Sequence, residues 1–185
     1  MSEPNVSTEA KEPSAPSAAK PKGKEARRRI VAALRGVLNP EWADAGMLAA
    51  LRRADPDLPP TAFYRVATSI LDEHLGVSGA SRDEKEAQWV IVASAMARAQ
   101  GMLARIPLGQ ALATAGVAEM RFMRLLEAGP SQIAVMVRNV VHQLTQKGQP
   151  FDPDDLADLV LTVGTDGGRT VRRRIARDYY RHEGN

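Results

Sequence analysis

The chain has no cysteine among its 185 residues. That removes disulfides, thiolate metal sites and thiol nucleophiles together, so stability has to come from packing. Aromatics make up only 4% and β-branched runs are short, which disfavours sheet. No apolar run approaches the roughly 18 residues of a membrane helix, and the opening Met1-Ser-Glu-Pro lacks the hydrophobic stretch of a secretory signal. A cytoplasmic chain with no membrane contact is the expectation. Histidine is scarce as well, since His74, His142 and His182 stand alone without ligand-like spacing. The stretch Gly164-Thr-Asp-Gly-Gly-Arg-Thr170 has the glycines of a phosphate loop but neither its lysine nor a preceding strand, and reads as a turn between helices. With so thin an inventory of reactive groups the expectation is a non-enzyme, with no catalytic residue, no cofactor and no metal.

Lysine is the last shortage: Arg outnumbers Lys nineteen to six, and beyond residue 25 only Lys85 and Lys147 remain. The 44% hydrophobic fraction is mostly aliphatic residues and alanine, a helix-forming mixture. Residues 1–25 are Pro, Ser, Ala, Lys and Glu with almost nothing to bury, so a disordered tail is expected there. From Ala26 the apolar spacing is helical throughout. It predicts helices over 26–38, 42–54, 60–75, 82–104, 108–115, 117–128, 131–147, 153–163 and 169–182. The expected fold is all-α, with two packed helical bundles, 26–105 and 106–185, dividing in the Arg105-Ile-Pro107 connection. The segment Ala87–Met96 is apolar on nearly every side, which suits a central buried helix.

Several helix ends are marked in the sequence. Ser81-Arg-Asp-Glu84 has the form of a capping box, and Asp152-Pro153 that of an N-cap followed by proline in the first turn. The cluster Asp152, Asp154, Asp155 and Asp158 is read as helix-start chemistry in preference to a hard-metal site. Gly129-Pro130 and Gly148 end the helices before them. Met96, Met102, Met120, Met123 and Met136 recur on apolar faces and are expected to fill the core.

Arginine placement carries the functional signal. Arg52 and Arg53 close an amphipathic helix, where cations favour the dipole. Arg121 and Arg124 are i, i+3 neighbours, and Arg138, His142 and Thr145 share the polar face of helix 131–147. In the last helix Arg169, Arg172, Arg173 and Arg174 crowd the first turns, and Arg173, Arg177 and Arg181 make an i, i+4, i+8 stripe that only Asp178, through Arg174, answers locally. Helix stability does not ask for this. An external anion, or the acidic stretch 152–158 of the same chain, is the natural partner. Arg offers a planar fork matched to phosphate oxygens, and a track of such groups binds a backbone without reading sequence.

At this point a family is visible. The run Leu51-Arg-Arg53, then Ala62-Phe-Tyr-Arg65, then Pro107-Leu-Gly-Gln-Ala-Leu112, then Gly116-Val-Ala-Glu-Met-Arg-Phe122, resembles the small (CasB) subunit of the type I-E CRISPR surveillance complex, Cascade. Phe151-Asp-Pro-Asp-Asp-Leu156 and Val171-Arg-Arg-Arg-Ile-Ala-Arg-Asp-Tyr-Tyr180 resemble its later helices. The resemblance implies an all-α, non-catalytic subunit that stabilises the hybrid of guide RNA and target DNA and helps hold the displaced strand. It implies as partners the other Cascade subunits, a second copy of the chain, guide RNA and both strands of target DNA. Carried over to matching positions, the nucleic-acid contacts are Arg53, Arg121 and Arg138, with Arg52, Arg65 and Arg124 beside them. Gln110 stands where a basic residue is expected in some relatives. Two other classes stay open: a helical adaptor whose arginines meet acidic protein surfaces, and a helix-turn-helix regulator, which the spread of arginines over several helices disfavours.

Overall fold

Apolar residues three and four apart organise the chain into ten helices among the described residues, which are 23–75 and 80–183 of a computed structural model. They are α1 (Gly23–Val37), α2 (Ala45–Arg52), α3 (Thr61–Ile70), α4 (Asp72–Leu75), α5 (Ala80–Arg98), α6 (Leu108–Thr114), α7 (Glu119–Glu127), α8 (Ile133–Gln146), α9 (Pro153–Leu161) and α10 (Asp166–His182). The described residues contain no sheet, only two isolated bridges, so the all-α expectation holds. Residues 1–22 of the expected tail, and the side chain of His74, lie outside the described residues.

Boundaries moved for identifiable reasons. Helix α1 starts at Gly23, inside the expected tail, with Glu25 pairing to Arg29 at 2.6 Å one turn on. The expected 60–75 helix breaks at Leu71 into α3 and α4. Helix α5 stops at Arg98 and not near 104, because Gly101 takes φ +83° and the chain then pairs edgewise with 151. There Phe151 N–H donates to Met102 O at 3.1 Å, and Ala104 N–H to Phe151 O at 2.9 Å. Ser81 lies within α5, which begins one residue earlier, and so does not cap it. Helix α10 begins at Asp166, capped by the Thr165 side chain, which accepts from Gly168 N–H. Arg172, Arg173 and Arg174 therefore sit past its first turn, where the dipole penalises cations less.

The core is continuous. Helix α5 is its axis, with Trp89 to Ala97 buried, and it packs on α2, α8 and α9. Helix α1 packs on α3 and α9, and α10 lies along α6 and α9. Elements from both 26–105 and 106–185 thus share α5. Met96 is fully buried as expected, but Met120 is 70% exposed and fills no core.

The α6–α10 contact is the tightest seam. A Cβ on Gly109 would strike the Ile175 carbonyl oxygen and come within 2.7 Å of Tyr179 N, so a glycine is required for α6 to lie this close. Beside it Phe122 stacks on Tyr179, ring centroids 3.9 Å apart, and the Tyr179 hydroxyl donates to Val117 O at 2.6 Å. Burial pushes that hydroxyl up to about 12, so it remains a donor at any ordinary pH.

The aspartate cluster does more than start a helix. Asp152 caps α9, accepting from Asp154 N–H at 2.9 Å. Asp155 instead accepts from Leu108 N–H at 3.1 Å, at the start of α6, and meets Arg174 at 2.7 Å. Asp158, 7% exposed, stands between Arg27 at 3.1 Å and Arg174 at 3.3 Å, tying α1, α9 and α10 together. Asp154 and Asp155 do stand in the first turn of α9, though Asp155 also binds across to α6 and α10; the reading as a helix-start group is corrected for Asp158. Burial pushes the Asp155 carboxyl above its ordinary value, with Leu108 N–H and Arg174 opposing.

Candidate nucleic-acid interface

The arginines divide by what they already hold. Arg27 and Arg174 neutralise Asp158, Arg172 donates to Ala128 O at 2.8 Å, and Arg35 donates to Leu103 O. These are stitches between elements. Of the sequence-derived candidates, Arg52 belongs partly with them. Its Nε donates to Ala97 O at 2.9 Å and its Nη2 to Gln100 Oε1 at 2.8 Å, fastening the end of α2 to α5. Its neighbour Arg53 is exposed and donates to nothing among the described residues. The same is true of Arg65 on α3 and Arg138 on α8. Arg121 on α7 is exposed and reaches Gln143 Oε1 at 2.6 Å, and Arg124, one turn on, touches only the Met120 sulfur at 3.8 Å.

Two concavities show which of these are brought together. The first, about 20 Å³, is a water-sized niche between the turn after α2, α5 and α8, lined by Ala54, Pro56, Ile91, Ala95, Arg98 and Arg138 among others. Arg98 was not singled out from the sequence, where it falls inside a longer, apolar-looking helix. Its Nη2 donates to Arg52 O and its Nε is buried without a partner. Burial pulls its pKa below the usual arginine value, and the charges of Arg138 and Arg52 pull it further. Arg98 therefore feels repulsion from both Arg138 and Arg52 at the α2, α5 and α8 junction, with no carboxylate bonded to any of the three among the described residues. Such a cluster is electropositive and under-satisfied, which is what an anion relieves.

The second concavity, about 390 Å³, is an open hollow over α7 and α8 lined by Arg121, Asn139, His142, Gln143 and Gln146. Arg138 and Asn139 are consecutive on α8, so the outer face of that helix joins the niche to the hollow. At 1.5 Å per residue, Arg138 and Gln146 lie about 12 Å apart along the axis. Arg53 and Arg124 line neither concavity; Arg124 stands one turn from Arg121 on α7. Arg65 lines neither concavity; its helix packs on α1 and α2.

The last helix resolves differently from the expectation. Arg174 meets the acidic stretch 152–158, one of the two partners expected for this helix. Asp178 pairs with Arg181, at 3.6 Å, and not with Arg174. Arg173 and Arg177 are exposed and hold nothing among the described residues. No cluster of three or more metal-ligating side chains suited to an ion occurs among the described residues. None of their helices is long and apolar enough to cross a membrane.

Three comparisons place this geometry among known proteins. The family described as CRISPR-associated protein Cse2 matches residues 47–180. The crystal structure of CasB from Thermus thermophilus is similar, with 28% identity and a TM-score of 0.61, over 83% of this chain and 97% of that one. A chain in the crystal structure of E. coli Cascade bound to a PAM-containing double-stranded DNA target has the same fold, at 22% identity and a TM-score of 0.57, over 83% of this chain and 93% of that one. Among curated proteins none matches the sequence.

Proposed function

Because the chain belongs to the CRISPR-associated protein Cse2 family, we propose that it is a non-catalytic subunit of a Cascade ribonucleoprotein that steadies nucleic acid through arginine contacts to phosphates. The observation that carries this reading is the meeting of Arg98 and Arg138 at one niche, with Arg52 adding to the charge felt by Arg98, no carboxylate bonded to any of the three among the described residues, and an unpaired Arg53 next in sequence to Arg52. That repulsion calls for an external anion. A phosphate relieves it, because an anion bridging guanidiniums turns mutual repulsion into shared attraction.

The E. coli chain with this fold is part of a complex bound to double-stranded DNA. By extension, the partners of this chain are the other Cascade subunits, a second copy of itself, guide RNA and both strands of target DNA, in the cytoplasm. Pairing between guide and target supplies sequence specificity, and the exchange of one duplex for another is nearly balanced. Modest charge neutralisation along either strand therefore shifts it. In this reading Arg53, Arg121 and Arg138 touch phosphate, with Arg65 and Arg124 adding charge beside them. Arg52 has a double part: it fixes the end of α2 on α5 and adds positive charge beside Arg98. The division into bundles at residues 105 and 106 is part of the proposal, with α5 as the element both share.

The test is a complex assembled with Arg53→Ala, Arg121→Ala or Arg138→Ala and titrated with target DNA across a salt series. Each loss of one phosphate contact lowers the slope of log affinity against log salt by about 1. Unchanged slopes in all three remove the assignment.

A further inference from the structure

The hollow over α7 and α8 does not have the chemistry of a phosphate site. Its five lining residues include one cation, three carboxamides and one imidazole. Phosphate offers only acceptors, so a site built for it presents donors and positive charge; a carboxamide oxygen facing it is wasted. The hydrogen bonds within the hollow sharpen the point. Gln143 is committed, its Oε1 accepting from Arg121 at 2.6 Å and its Nε2 donating to Gly116 O at 3.4 Å. That holds the Arg121 guanidinium against the edge of the hollow. Asn139, His142 and Gln146 are exposed, and their side chains hold nothing among the described residues. They stand at i, i+3 and i+7 of α8, a spacing that lines up one face over about 10 Å.

We propose that this hollow receives the base of an unpaired nucleotide, its edge hydrogen-bonded by Asn139 and Gln146 and its face resting on His142, while Arg121 takes the adjoining phosphate. The proposal rests on the nucleic-acid reading above and adds the class of group bound at one place in it. A carboxamide carries a donor and an acceptor side by side, the complement of a base edge, and an imidazole serves as a stacking surface for a base. The volume of about 390 Å³ falls within the range of small-ligand sites. Both carboxamides rotate freely, so the site accepts more than one base, as a subunit leaving specificity to guide pairing requires. Nucleotides within a duplex have their faces stacked on neighbouring bases and only their groove edges open; a base whose face rests on His142 is therefore single-stranded.

The experiment compares two probes on the assembled complex: a single-stranded DNA oligonucleotide without complementarity to the guide, and the same backbone with abasic sugars throughout. The complex carries either the unaltered chain or Asn139→Ala/Gln146→Ala, both at exposed helix positions where truncation leaves the core intact. The double variant is expected to bind the base-bearing probe roughly five- to tenfold more weakly, the scale of one good base-edge contact. Its affinity for the abasic probe and its salt slope are expected to be unchanged, because no charge has been removed. Arg121→Ala is expected to lower the slope on both probes. Equal losses on both probes overturn the base subsite, as does no loss on either while Arg121→Ala still lowers the slope; the phosphate reading survives in both cases. No change on either probe from Arg121→Ala and the double variant alike overturns the subsite together with its own phosphate contact.

Discussion

Two groups of arginines, on opposite terms with the protein, share this chain. On the α1, α9 and α10 side, Arg27, Arg172 and Arg174 are spent on Asp158, Asp155 and a backbone carbonyl. Around the junction of α2, α5 and α8, Arg53 and Arg138 hold nothing among the described residues, whereas a buried Nε without a partner occurs in both groups, at Arg98 and at Arg172 and Arg174. Residue type is identical in the two groups and helix position is similar. What differs is that Arg27 and Arg174 face carboxylates while Arg53 and Arg138 face none among the described residues; Arg172, like Arg98, is held by a backbone carbonyl. Where the fold supplies its own anion, arginine is cement; where it supplies none, the anion has to come from outside. Arg52 and Arg53 show the divide within one dipeptide.

The comparison breaks most readily at the seam that holds the first group in place. Gly109→Ala forces a methyl into the Ile175 carbonyl and separates α6 from α10, so it is expected to destabilise by about 3 kcal/mol, at the upper end of overpacking costs. A denaturant midpoint measures this. Next comes Arg174→Ala, which strips Asp155 and half of the Asp158 pairing of their cation. Breaking buried pairs costs more than exposed ones, and this arginine is 38% exposed, so about 1–2 kcal/mol is expected. Arg52→Ala forfeits two hydrogen bonds that fasten α2 to α5 and is expected to cost about 1–2 kcal/mol. Arg53→Ala and Arg138→Ala, by contrast, are expected to stay within about 0.5 kcal/mol of the unaltered chain, as exposed substitutions do. The same two are expected to weaken nucleic-acid binding, so stability and affinity separate the groups in opposite directions.

The smallest effect concerns pH. Burial raises the Asp155 carboxyl above its ordinary 3.8, so the folded chain holds that proton more tightly than the unfolded one. The stability Asp155 contributes is then complete below the unfolded value and is lost as pH climbs through the raised folded value. Asp155→Asn keeps an acceptor for Leu108 N–H and has no proton to lose. Denaturation across a pH series is expected to show the difference between the two chains shrinking above pH 4 and levelling once the folded carboxyl is ionised.

Much of this was legible in the sequence because helical periodicity is a local signal. Every predicted helix has its counterpart, and the Asp152-Pro153 cap and the stop at Gly148, φ +62°, stand where the residues put them. The misses are long-range. Nothing near Met102 announces that it pairs with Phe151, so α5 was read six residues too long and Arg98 disappeared into it. Asp158 looked like helix-start chemistry, and the second role of the first-turn Asp155 went unseen, because Leu108, Arg27 and Arg174 are remote in sequence. Met120 counts among the methionines on apolar helix faces, but its helix turns Phe122, Leu125 and Leu126 inward instead. The hollow over α8 escaped for the same reason. Asn139, His142 and Gln146 are ordinary polar residues until Arg121 is brought beside them from α7.

One paired titration separates the two groups of arginines most directly. Complexes assembled with Arg138→Ala or with Arg174→Ala are titrated with target DNA across a salt series, and the melting temperature of each isolated chain is measured alongside. The account predicts a slope lower by about 1 with an unchanged melting temperature for Arg138→Ala, and an unchanged slope with a lowered melting temperature for Arg174→Ala. An unaltered slope for Arg138→Ala, or a slope that falls equally in both, would contradict the division of arginines into cement and contact.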